Sequence, residues 1–131
     1  MKTINFSATW GDKIYKDRFT TIRWNDYPVK MGDTCEVSLK GNPFAKVVVE
    51  QTRFHRACDI PVQMVRNDLG LLPESNTDEQ VRDKFWQLLT RFYARKPDWK
   101  GWNSIVQVIF LKKIIEPGID YRQVAIENEV I

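Results

Sequence analysis

Arginines at positions 18 and 23 bracket a threonine at position 21 in the segment Asp17-Arg18-Phe19-Thr20-Thr21-Ile22-Arg23-Trp24. A guanidinium offers forked donors that match carboxylate and phosphate oxygens, and a threonine hydroxyl adds a short-range donor and acceptor. In an extended chain side chains alternate, so Phe19, Thr21 and Arg23 share one face and Thr20, Ile22 and Trp24 the other. Arg18, Thr21 and Arg23 are a candidate anion-binding edge at the mouth of a small barrel. The competing reading is that the arginines only pair with Asp17, Asp26 or Asp33.

A second cluster runs from Tyr93 to Trp102, where Arg95, Lys96 and Lys100 interleave with Trp99 and Trp102. Exposed, these residues would combine phosphate attraction with base stacking, the two ingredients of single-strand binding. Packed, the tryptophans would instead fasten a helix end to the sheet while the cations face water. His55, the sole histidine, lies between Arg53 and Arg56 without a second histidine or an obvious nucleophile, so it reads as a strand-end residue. Cys35 and Cys58 form no C-x-x-C pair, and no His, Cys, Asp and Glu cluster has metal-ligand spacing. Neither a metal nor a cofactor is expected, and no phosphate-binding glycine loop is present. Asp12, Asp17, Asp26 and Asp33 read as turn and cap residues.

The whole chain limits these choices. Its 131 residues fit one domain, 1–131, with a real core, and 43% hydrophobic against 28% charged residues argues against disorder. The net charge of +3 permits an anionic partner without requiring one. No signal-peptide run and no membrane-length apolar window occur, which leads to the expectation of a cytoplasmic chain with no membrane partner. The two cysteines are expected as free thiols.

The elements that would position these residues are short and varied. Strands are expected at residues 3–6, 19–24, 34–39 and 44–54, with a helical turn within 10–15 and turns at 25–28, 32–33 and 40–43. Consecutive strands with short polar turns predict an antiparallel meander that curls into a barrel. After His55 the pattern changes: a helix capped near Asp59, with Pro61 in its first turn, should end at Gly70. Thr77-Asp78-Glu79-Gln80 is a capping-box pattern opening the longest helix, 78–95. Residues 105–111 read as a central strand, apolar on both faces apart from Gln107, and 121–126 as a last strand. The class is α+β, a small mixed β-barrel with a helical insertion before the final strands.

The order of Thr20-Thr21-Ile22-Arg23, Met31-Gly32-Asp33 leading into a strand, an alanine-to-valine strand, a helical insertion and Val108-Ile109-Phe110 resembles the ASCH domain family. That family is similar to PUA domains, so the resemblance implies a PUA-like barrel over roughly residues 3–112. It also implies RNA or modified-nucleoside partners, since members are regarded as RNA-binding modules and some deacylate acetylcytidine or cleave RNA. The amidohydrolase branch carries Gly-x-Lys-Thr-x-Thr-x-Arg and an acid from the helical insertion. Thr21 and Arg23 match the threonine and arginine of that motif, and Asp68, or Glu74 or Glu79 further on, stands near the acid. The lysine position holds Arg18, whose guanidinium stays charged and is a poor base.

The expected function is therefore noncatalytic binding of RNA or another single-stranded nucleic acid. Arg18, Thr21 and Arg23 would occupy the cleft, and Arg95, Lys96, Trp99, Lys100 and Trp102 a second surface. Two alternatives stand beside it. One is a hydrolase acting on an acylated nucleoside or RNA through Thr21 and Asp68, and the other is a protein-protein adaptor anchored by tryptophans.

Overall fold

The computed structural model describes residues 1–71 and 75–114. Five strands, β1 (Lys2–Phe6), β2 (Arg18–Trp24), β3 (Thr34–Leu39), β4 (Asn42–Arg56) and β5 (Ile105–Lys113), form one sheet in the order β1-β3-β4-β5-β2. Two helices, α1 (Val62–Leu69) and α2 (Asp78–Tyr93), lie between β4 and β5 in the chain. The result is a mixed α+β fold whose sheet curls into a half-barrel. The expected last strand at 121–126, like Glu74, lies outside the described residues.

The simple meander is corrected by the pairing. Among the described strands β3 and β4 form a tight hairpin and β4 pairs antiparallel with β5 across the helical insertion, while β1 pairs with β3 in parallel and β2 crosses to the far edge beside β5. A parallel pair needs a crossover, and the whole of residues 7–33, β2 included, serves as that connection. The sheet curls enough for its two edge strands to communicate through side chains: Arg23 on β2 donates through Nη2 to the Asn5 carbonyl on β1 at 2.7 Å.

Alternation sorts side chains into two cores. Phe19, Ile109 and Leu111 join Ile4, Phe6, Val37, Leu39, Val47 and Val49 within the curl. Trp24, Val106 and Val108 turn the other way, onto Val65, Leu69, Val81, Phe85 and Leu89 of the helices. Strand β5 is thus covered on both faces, as its near-continuous apolar run predicts.

The helix ends follow local chemistry. Thr77 accepts from the Gln80 amide at 3.2 Å while Gln80 Oε1 accepts from the Thr77 amide at 2.8 Å, the reciprocal capping box. Gly70 terminates α1 with φ of 67°. Asp59 does not cap α1, because it pairs with Arg56 at 2.8 Å and Pro61 occupies the N-cap.

Candidate functional site

The β1–β2 connection contains an unusual turn. Trp10, Gly11 and Asp12 all have positive φ, at 51°, 65° and 67°. The first and third are non-glycine residues in a region that side chains disfavour, so surrounding contacts must hold the turn. They do so through glycines. A Cβ on Gly11 would sit 2.2 Å from the Gly70 carbonyl oxygen, and one on Gly70 would sit 2.0 Å from the Trp10 carbonyl oxygen. Two backbones touch there, and the contact locks the N-terminal turn against the end of α1.

That contact has a chemical consequence on both sides. Directly after the turn, the 3-10 turn Lys13–Tyr15 carries Lys13 inward; directly before Gly70, α1 presents Asp68. Lys13 Nζ donates to Asp68 Oδ1 at 3.0 Å, with the residues only 5% and 7% exposed. Thr20 Oγ1 donates to the same oxygen at 3.1 Å. Burial pushes the Lys13 amine below its ordinary value, opposed by the attraction and hydrogen bond of Asp68. Lys13 Nζ also lies 5.5 Å from the centre of the Phe6 ring.

The pair opens into a cavity of about 620 Å³, within the range of roughly 300–1,000 Å³ common for small-molecule sites. Helix α2 supplies one wall through Phe85, Leu88, Leu89, Phe92 and Tyr93. Polar lining comes from Asn5 in β1, Ser7 just after it, Lys40 and Gly41 at the β3–β4 turn, and Arg23. Thr21, Lys13 and Asp68 line the same space. Burial raises the Tyr93 hydroxyl above its usual value, so it remains a protonated phenol at neutral pH.

Arg23 is firmly oriented. Its Nε donates to Thr21 Oγ1 at 2.9 Å, and its Cζ lies 5.0 Å from the Phe6 ring centre and 5.3 Å from that of Tyr27. A hydrogen bond from a cation to Thr21 Oγ1 favours negative charge on that oxygen.

Of the residues singled out in the sequence, Thr21, Arg23 and Asp68 meet in this cavity. Arg18 does not line it. Its side chain is 62% exposed and pairs with Glu50 at 2.9 Å. The cation beside Asp68 is Lys13, which sequence reasoning missed because it lies five positions before Arg18, outside the strand register, and enters by a turn. Its one signal in the sequence is its place beside Ile14 in the helical turn expected at 10–15.

The second cluster has a mixed fate. Trp99 stacks on Trp24 with ring centres 6.2 Å apart, and Trp102 stacks on Trp86 at 5.0 Å. The Trp24 indole donates to Asp98 at 3.1 Å. Both tryptophans are half-buried parts of the helix-side core, whereas Arg95 and Lys100 are exposed and Lys96 pairs with Asp26 at 3.4 Å. Trp99→Ala is expected to lower unfolding stability by about 2 kcal/mol through lost apolar burial, read by denaturant melts. An unchanged midpoint would show that this indole is not a packing element.

Glu79 is exposed on α2. His55 does not line the cavity, and its Nε2 has no hydrogen-bond partner among the described residues. Among the described residues no group of three or more His, Cys, Asp and Glu is placed to hold a metal ion. Cys35 and Cys58 are free thiols, the first buried and the second exposed. Among the described residues no helix is long and apolar enough to cross a membrane. No family model, curated protein or solved structure matches the chain.

Proposed function

We propose that the cavity binds a flat heteroaromatic ligand of nucleoside size and hydrolyses an acyl group carried on its amine. The observation that carries this reading is the buried Lys13–Asp68 pair in the same cavity as Thr21. In the sequence, an arginine at position 18 where the family has lysine speaks against catalysis. Lys13 supplies the missing amine by another route, and the resemblance to the ASCH and PUA-like group is consistent with such a substrate.

In its neutral form the Lys13 amine accepts the Thr21 hydroxyl proton as Oγ1 attacks the acyl carbon. Asp68 accepts a hydrogen bond from Nζ and fixes its direction, and Arg23 Nε stabilises negative charge gathering on Oγ1. The carbon-nitrogen bond breaks as Lys13 returns the proton to the departing amine. Water then attacks the threonine ester, giving its proton to Lys13, and the ester oxygen regains that proton as the carboxylic acid leaves. Burial helps here, since an amine pushed below its ordinary value releases its proton nearer neutrality. The wall of α2 offers apolar and aromatic contact area for the ligand ring.

The test is a panel of N-acylated nucleosides scored for released carboxylic acid. Turnover is expected, and Thr21→Ala should lower kcat/KM by at least about a hundredfold with the far-ultraviolet spectrum unchanged. Release of no acid from any member at high enzyme concentration would end this reading.

Single-strand binding is the second reading. It is favoured by Phe92, which is 55% exposed at the cavity wall with Arg91 Cζ 5.6 Å from its ring centre. An exposed ring beside a guanidinium is suited to stacking a base next to a phosphate.

A further inference from the structure

The cavity has a cation whose partners are all neutral. Lys13 is matched by Asp68, Arg18 by Glu50 and Arg66 by Asp78, each through a direct ion pair. Arg23 is half-buried and has no carboxylate within ion-pair distance among the described residues. Its contacts are the Thr21 hydroxyl, the Asn5 carbonyl and the faces of Phe6 and Tyr27. A guanidinium has five N–H donors. The two bonds it makes hold the group still, and Arg23 lines the cavity with donors to spare.

A half-buried cation without a counter-charge is costly unless something supplies one. Here the guanidinium is also immobilised by two rings and two hydrogen bonds, so an incoming anion would not have to order it. With Lys13 protonated, the Lys13–Asp68 pair is internally neutral and does not cancel Arg23. Arg23 shares the cavity with the polar groups of Asn5, Ser7 and the Lys40-Gly41 turn, and the Phe6 ring and Tyr93 of α2 lie close to it as well.

We infer that the ligand is an anion, a nucleotide whose phosphate sits on Arg23 while its base lies against α2. The inference rests on the heteroaromatic reading given above and adds the charge of the ligand to it. Arg23 then has two tasks: Nε holds the Thr21 oxygen, and the free edge of the guanidinium holds a phosphate oxygen. Forked recognition of this kind is what an arginine does better than a lysine.

The experiment titrates the intact protein with the four common ribonucleosides, their 5′-monophosphates and a short single-stranded oligoribonucleotide. Intrinsic tryptophan fluorescence is the readout, with Trp10 lining the cavity. At least one monophosphate is expected to bind about ten- to a hundredfold more tightly than its nucleoside, and that advantage should shrink as salt rises. Arg23→Gln should remove the advantage, so that the monophosphate and its nucleoside bind the variant within about twofold of each other.

Should the oligonucleotide bind more tightly than any monophosphate, with the same dependence on Arg23, the phosphate is that of a strand. If the monophosphate is tighter, it is that of a free nucleotide. Equal binding of nucleoside and monophosphate by the unaltered protein would overturn the anion inference and leave the heteroaromatic site standing. Absence of binding by every compound would overturn both. If Arg23→Gln does not fold, the salt dependence of the unaltered protein separates the same outcomes: a monophosphate advantage that salt does not diminish would overturn the role of the guanidinium.

Discussion

Lys13→Met is expected to destabilise the protein by about 3–5 kcal/mol, because it leaves the Asp68 carboxylate buried without its cation. Thr20 still donates to Asp68 Oδ1, but one neutral hydrogen bond does not replace an ammonium at 3.0 Å. The double variant Lys13→Met with Asp68→Leu should recover most of the loss, since two apolar side chains fill the space without buried charge. Denaturant unfolding of the wild type, both single variants and the double variant measures the coupling. Strict additivity of the two losses would show that the pair carries no interaction.

The same variant has a pH signature. Lys13 is depressed by burial relative to its unfolded value of 10.5, so between its folded and unfolded pKa the unfolded chain binds more protons. Stability contributed by that linkage is present above 10.5 and is lost as pH falls through the folded pKa. The Lys13 contribution should therefore rise as pH approaches 10.5, against opposite slopes from Tyr27, Tyr93 and Cys35, which burial raises, so the reading is the difference in slope between the wild type and Lys13→Met. Lys113, pushed down to about 8 by burial, supplies a slope of the same sign and stays in place in the variant.

Gly70→Ala should cost about 3 kcal/mol or more and weaken ligand binding at the same time. The residue has φ of 67°, where a side chain is strained, and a Cβ would lie 2.0 Å from a backbone oxygen that has no flexible end to move. Relief requires the Trp10–Asp12 turn to move away from α1. That movement separates Lys13 from Asp68 and carries Trp10 out of the cavity wall. Gly32→Ala is the matched comparison, because Gly32 also has positive φ, at 92°, but nothing lies within 4 Å of its Cβ position. Thermal and denaturant melts should separate the two variants clearly. Equal losses would mean that the Gly11–Gly70 contact contributes no more than ordinary backbone strain.

Much of the fold could be read from residue types because the relevant interactions are local. The capping box at Thr77 and the left-handed stop at Gly70 depend on neighbours within one helical turn. Alternation from Phe19 to Trp24 assigns faces without reference to any other strand, and the apolar run around Val108 signals a strand buried on both sides. Strand order is different in kind. The parallel partnership of β1 with β3, and the placement of β2 beside β5, depend on which hydrophobic faces close the curl together, and short polar turns do not encode that choice.

The site divides along the same line. Residue types and spacing alone put Thr21 and Arg23 on one face, set Asp68 near the end of a short helix, and make the chain an α+β mixture with a helical insertion. Packing in three dimensions was needed to turn Arg18 to solvent, to draw Trp99 and Trp102 into the helix-side core, and to make Lys13 the buried amine beside Asp68. The cause of the last of these is the backbone contact of Gly11 with Gly70. Two residues 59 positions apart can approach so closely only when both lack a side chain, and that approach, invisible in local spacing, brings Lys13 and Asp68 into one cavity.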